Sequence, residues 1–204
     1  MSELFVFIAV GFRHIVDVSA MDHILFLLAL GAIYRWRDWR DSLWVISAFT
    51  VGHSVTLALA VTGVLRMSPS IIEFLIPVTI VLTGAENLMV RDRARALWGG
   101  RYRALLAMTF GLVHGAGFAT YLQSLFVEHL AVPLFGFNVG IELGQVLVLA
   151  CAAALFAGLD RGLARLPLPT GAPAPLRLRV VGVSAVVMVV ALAWAVERNP
   201  WTAS

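Results

Sequence analysis

Lysine is absent from this 204-residue chain, cysteine occurs once, and charged residues make up only 13%. The single Cys151 excludes a disulfide framework and argues against a thiolate metal site. A soluble domain carries roughly 25% charged residues, so the scarcity of charge excludes an ordinary soluble fold. Without lysine, all 15 basic residues are arginines, and they fall in short clusters between apolar runs. A pI near 9.7 therefore reads as membrane orientation, with nucleic acid excluded as a partner.

Apolar residues are what the chain does have, at 60%, with a mean hydropathy of +0.90. A span needs ~20 such residues, and the sequence predicts six transmembrane helices, roughly 18–34, 42–64, 70–90, 103–125, 134–159 and 178–196. The fold class is an all-α polytopic bundle, a single integral membrane domain over 1–204. The 13 residues of Leu4–Val16 are too short to span and read as an interfacial or re-entrant segment. Glu3 and the absence of a basic N-terminal region argue against a signal peptide. A proline-rich linker falls at about 160–178, with Pro167, Pro169, Pro173 and Pro175.

The arginines set the orientation. Arg35, Arg37, Arg40, Arg91, Arg93, Arg95, Arg101, Arg103, Arg161, Arg165, Arg177 and Arg179 fall on one side; only Arg13, Arg66 and Arg198 fall on the other. The positive-inside rule puts the first side in the cytoplasm and both termini outside. Trp36, Trp39, Trp44, Trp98, Trp194 and Trp201 sit at predicted helix ends, as an interfacial belt does.

Polar residues inside the spans carry the functional argument. Asp22, His23, His53, Glu86, His114 and Glu142 lie in predicted helices, and His14 and Asp17 just before the first. Three charged, unpaired carboxylates within spans would cost roughly 8–10 kcal/mol. Such groups face inward, find partners and mark function. Asn138, Glu142 and Gln145 share one helical face, with Gly136, Gly140 and Gly144 on another. Gly111, Gly115 and Gly117 clear space around His114. His53 and His114 fall near mid-span, with Asp22, His23 and Glu142 toward the outer side and Glu86 toward the cytoplasm.

Imidazoles and carboxylates without thiolates suit zinc, nickel, cobalt, iron or manganese, and the expected cofactor is nickel, cobalt or zinc. The expected metal ligands are His14, Asp22, His23, His53, His114 and Glu142. Asp17, Glu86, Asn138 and Gln145 are expected as supporting or pathway groups. Glu73, Glu128 and His129 read as solvated outer groups. Phe49-x3-His53 and Phe110-x3-His114 suggest a parallel repeat of helix pairs.

The runs Asp22-His23-Ile-Leu-Phe26, Phe49-Thr-Val-Gly-His53, Glu86-Asn87, Phe110-Gly-Leu-Val-His114-Gly-Ala-Gly and Phe137-Asn-Val-Gly-Ile-Glu142-Leu-Gly-Gln145 together resemble the HupE/UreJ membrane family. The resemblance implies a bacterial inner-membrane protein with a hydrogenase or urease accessory role, usually described as a nickel or cobalt permease. It also implies that His14, Asp22 and His23 select the metal. Two further functions stay open. One is an intramembrane metal-dependent hydrolase open to the periplasmic side, with Asp22 or Glu142 as general base. The other is a metal-binding accessory or sensor. Ile24–Tyr34 and Val146–Gly158 are dry, which leaves an ion little to exit by. The expected partners are the bilayer and a metal ion, and a homo-oligomer is allowed.

Overall fold

A computed structural model describes residues 2–18, 21–90, 101–123, 131–167 and 173–201, the side chains of 118–123 excepted. Trp98, Glu128, His129 and part of the proline-rich linker lie outside them. Among the described residues all regular structure is helical. The elements are α1 (Glu3–Val16), α2 (Asp22–Gly31), a 3-10 turn (Trp36–Asp38), α3 (Trp39–Val61), α4 (Pro69–Met89), α5 (Tyr102–Gln123), α6 (Ala131–Arg165) and α7 (Pro175–Glu197). Four stretches, Trp36–Val61, Pro69–Met89, Ala131–Arg165 and Pro175–Glu197, are long and apolar enough to cross a membrane. Their outward faces are greasy: Val186, Val189 and Val196 on α7 are about two-thirds or more exposed.

The start of the chain differs from the sequence expectation. Residues 4–16 form a regular helix packed into the bundle, and the expected first span is the 10-residue α2, only about 15 Å long at 1.5 Å per residue. An interruption separates Val16, the end of α1, from Asp22, the start of α2. It is tolerated because α1 is held independently, running alongside α6 in the same direction from Leu4 beside Gly136 to Ile15 beside Gly144.

That contact has a double elsewhere in the molecule. Gly11 lies against the carbonyl oxygen of Phe137 and the amide of Ile141; Gly111 lies against the carbonyl oxygen of Phe49 and the amide of His53. Gly140 meets the carbonyl oxygen of Ile8 and the amide of Phe12; Gly52 meets those of Met108 and Leu112. Residues 8, 11 and 12 of α1 thus correspond to 108, 111 and 112 of α5, and 137, 140 and 141 of α6 to 49, 52 and 53 of α3. The sequence carries the same echo. Gly11-Phe-Arg-His14 matches Gly111-Leu-Val-His114, and Phe137-Asn-Val-Gly140 matches Phe49-Thr-Val-Gly52.

The two pairs point in opposite directions, since Phe137 packs near His53 while Glu142 reaches back to Ser47. α4 and α7 lie antiparallel, with Arg177 at the end of α4 and Trp201 against Phe74 near its start. Both open with proline in the first turn, where its missing N–H costs nothing. The first half of the chain (α1, α3, α4) is therefore repeated, inverted, in the second (α5, α6, α7). This replaces the parallel repeat suggested by Phe49-x3-His53 and Phe110-x3-His114. Those two motifs belong to α3 and α5, which pack on each other and whose counterparts are α6 and α1.

In lipid no hydrophobic force draws helices together, so association relies on close packing of small residues. A side chain at either seam would collide with backbone that cannot move aside. Gly111→Val and Gly140→Val are each expected to destabilise by about 1–3 kcal/mol, as overpacking does. Gly182→Val, whose surroundings are open, is expected to leave the thermal midpoint in detergent unchanged.

Candidate metal centre

Each half of the repeat contributes a histidine from an equivalent place, His14 on α1 and His114 on α5. His53 comes from α3, and His23 from the first turn of α2, where it is buried. One ring nitrogen of each of His14, His23 and His53 lies within 4.8 Å of the others. Ring centroids are 4.6 Å apart for His14 and His23 and 5.2 Å for His23 and His114. His53 is fully buried, and His23 and His114 nearly so.

The hydrogen-bond inventory fits a ligand. His114 Nε2 is 3.1 Å from the Thr79 hydroxyl, which fixes the ring and leaves Nδ1 without a partner among the described residues. Nε2 of His23 and both nitrogens of His53 are likewise unmatched among the described residues. Leaving a buried polar atom unsatisfied costs about 1–3 kcal/mol, so several in one place call for an occupant. A metal–nitrogen distance of about 2.0–2.1 Å puts nitrogens in a tetrahedral set roughly 3.4 Å apart. The imidazoles need a movement of about 1 Å to close on an ion.

Above the rings a cavity of about 580 Å³ is bounded by Asp22, Glu73, Trp194 and Arg198, with His14, His23 and His114 at its floor. Below them the way is shut by Phe26, Phe49 and Phe110. Phe26 and Phe49 stack at 4.9 Å, and each lies within 5.5 Å of His114. Among the described residues the cluster opens to one side only.

The carboxylates stand apart from the imidazoles. Asp22 lines the cavity, but both its oxygens face the Arg198 guanidinium at 3.2 and 3.3 Å. Glu142 accepts a hydrogen bond from Ser47, six residues before His53 and so about 9 Å lower along α3. Gln145 accepts from Thr50 at 2.9 Å and ties α6 to α3. Asn138, next to Phe137, is half-buried, and its Oδ1 has no partner among the described residues. Asp17 is exposed at the end of α1. Glu86 lies at the Arg-rich end, bonded to Tyr102 and Arg103. Asn87 joins Arg103 to the carbonyl of Ala29 and the hydroxyl of Ser184.

Sequence reasoning missed Thr79, which orients His114, and Arg198, which holds Asp22. Arg198 was read only as one of the few outer arginines. Its signal was that a carboxylate within a span must have a cation at its own depth.

These elements define a class: a helical membrane protein built around a buried histidine cluster at the floor of a one-sided cavity. The chain belongs to the HupE/UreJ family, whose model, described as HupE / UreJ protein, matches residues 1–198. Membership relates it to nickel and cobalt handling, in an accessory or transport role. No curated protein and no solved structure matches the chain.

The Glu86–Arg103 pair is nearly enclosed, at 16% and 3% side-chain exposure. Removing one member of such a pair typically costs 3–5 kcal/mol, because the other charge stays buried. Arg103→Met alone is expected to lower unfolding stability in detergent by about that amount. The double variant with Glu86→Gln should recover much of the loss.

Proposed function

We propose that this protein is a divalent transition-metal transporter of the nickel and cobalt type, in the bacterial inner membrane. The observation that carries the reading is a cluster of buried imidazoles from both halves of an inverted repeat. Inverted-topology repeats place their ion sites near the midplane at the repeat interface, and rocking of the halves exposes the site to each side in turn. On this reading α1 and α2 together make one discontinuous span. With α3, α4, α5, α6 and α7 the chain crosses six times, both termini outside. The broken helix supplies His14 and His23 at the break, where discontinuous helices in transporters hold their cargo.

The cation enters through the cavity beside Asp22 and Glu73 and exchanges water for imidazole nitrogen. Neutral imidazoles alone do not balance a divalent charge, and Asp22 is the nearest carboxylate in the cavity. An arriving cation competes with Arg198 for it, so Arg198 holds the counter-charge in place between turnovers. All these ligands come from one chain, and the reading needs no second copy. The phenylalanine layer and the Glu86–Arg103 pair form the closed inner gate. The expected dryness of the inner halves then describes one state of the cycle, in which the exit is shut.

The hydrolytic alternative needs a carboxylate free to act as base over the ion. In this state Asp22 faces Arg198 and Glu142 accepts from Ser47, so neither expected base stands over the imidazoles, and cation uptake separates the two readings.

Purified protein is expected to bind one Ni(II) or Co(II) per chain in equilibrium dialysis. His23→Ala and His53→Ala should each weaken binding by at least about 10-fold, the lower end of what loss of a supporting group at a metal site costs. Ser47→Ala should not. In proteoliposomes the wild type should take up the cation saturably, with uptake lost in His53→Ala. Retention of wild-type uptake by that variant would refute the proposal. Arg198→Gln frees Asp22, and is expected to tighten cation binding several-fold while slowing release.

A further inference from the structure

A second cavity lies far from the histidines, at the Arg-rich end between α2, the 3-10 turn, α3 and α6. Its volume is about 400 Å³, and it is lined by Gly31, Tyr34, Leu149, Ala153 and Phe156, among other apolar groups. Its origin is local. α2 stops at Gly31, and the chain turns to an extended conformation by Arg35 (φ −96°, ψ 165°). The long α6 continues past that stop, and its Ala150, Ala152 and Ala153 are too small to fill the space. The result is a slot beside the end of α2.

The rim has the opposite character. Arg35, Trp36, Trp39 and Ser42 border the slot. Trp36 and Trp39 are 69% and 54% exposed, as indoles at a membrane–water boundary are. Arg40 stacks over Trp39 at 5.3 Å, which fixes that ring. Asp38 accepts a hydrogen bond from the Arg35 backbone amide at 2.9 Å and pairs with the Arg37 guanidinium at 3.9 Å. The Arg35 guanidinium makes no ion pair among the described residues. Nearby Arg179 is already engaged with Asp160 at 3.0 Å. The rim therefore presents an arginine without an ion-pair partner among the described residues, beside two indoles and over a slot whose walls are apolar.

We propose that this slot is a binding site for an anionic glycerophospholipid, one acyl chain lying between α2 and α6 and the phosphate held by Arg35 at the Trp36–Trp39 rim. An acyl chain gains little by leaving the bilayer for an equally apolar slot, so selectivity comes from the headgroup. Clustered arginines beside a span attract anionic lipid, and here the charge sits directly over a chain-sized space. A second copy of the protein is a poorer fit, because exposed indoles and an arginine rim would have to be desolvated against each other.

The test uses the full-length protein in neutral detergent, with dioleoyl phosphatidylglycerol and dioleoyl phosphatidylcholine at equal mole fraction, and counts retained lipid by native mass spectrometry. Wild type is expected to retain phosphatidylglycerol several-fold over phosphatidylcholine, and brominated phosphatidylglycerol should quench its tryptophan fluorescence. Arg35→Gln, an exposed position, should equalise the two lipids. Ala153→Phe should exclude both, and inorganic phosphate alone should not compete. Equal retention of the two lipids by wild type, or preference unchanged in both variants, would overturn the proposal. So would a dimer that persists in place of bound lipid.

Discussion

Close backbone contact at Gly11, Gly52, Gly111 and Gly140 is the constraint on which the rest of the molecule depends. Each glycine lies against the carbonyl of a residue on its partner helix, an approach that only the missing Cβ permits. In lipid, where apolar surface gains nothing by leaving neighbours of the same polarity, such packing is a principal source of helix–helix cohesion. It makes two stiff parallel pairs, α1 with α6 and α3 with α5. The pairs share a contact pattern and oppose each other in direction. The histidines follow from that arrangement. His14 and His114 stand three residues beyond Gly11 and Gly111, and His53 follows Gly52 directly. Fixing the glycine seams carries the imidazoles to one place.

The same geometry explains how a bundle with so few polar groups manages its charges. Each intramembrane carboxylate has a partner of its own: Asp22 with Arg198, Glu142 with Ser47, Glu86 with Arg103 and Tyr102. None is shared with the imidazoles. A carboxylate inside a span is costly when charged and alone, and each of these is met at its own depth. Around the cavity, imidazole nitrogens of His23, His53 and His114 stay unmatched among the described residues. The three carboxylates within the spans are partnered and the imidazoles are open. That is the disposition expected of a site kept for a cation that comes and goes.

Much of this was legible in the sequence and some was not. Helix positions from α3 onward, the membrane class and the family followed from apolar runs and motif order, because each span signals itself locally. The interruption between Val16 and Asp22 did not, since 4–16 and 22–31 are both apolar and only tertiary contact with α6 divides their roles. The histidines could be named as a set because each is out of place in an apolar run. Which carboxylates would join them could not be read, because depth counted from uncertain helix ends does not place a side chain against its neighbours. Glu142 shows this: placed toward the outer side by residue count, it lies with Ser47, about 9 Å below His53 along α3. The inverted repeat was written in Gly11-x-x-His14 against Gly111-x-x-His114 and in Phe49-x-Val-Gly52 against Phe137-x-Val-Gly140. The correspondence appears only when helices of opposite direction are compared, whereas the parallel echo between His53 and His114 is the easier one to see.

The most direct test of a histidine-built cation site is the coordination of the bound ion itself. X-ray absorption on nickel-loaded protein in detergent should show at least three imidazole nitrogens near 2.0–2.1 Å, the range for metal–imidazole bonds. One of these should be lost in His53→Ala. A shell made only of oxygen, unchanged by that substitution, would contradict the account.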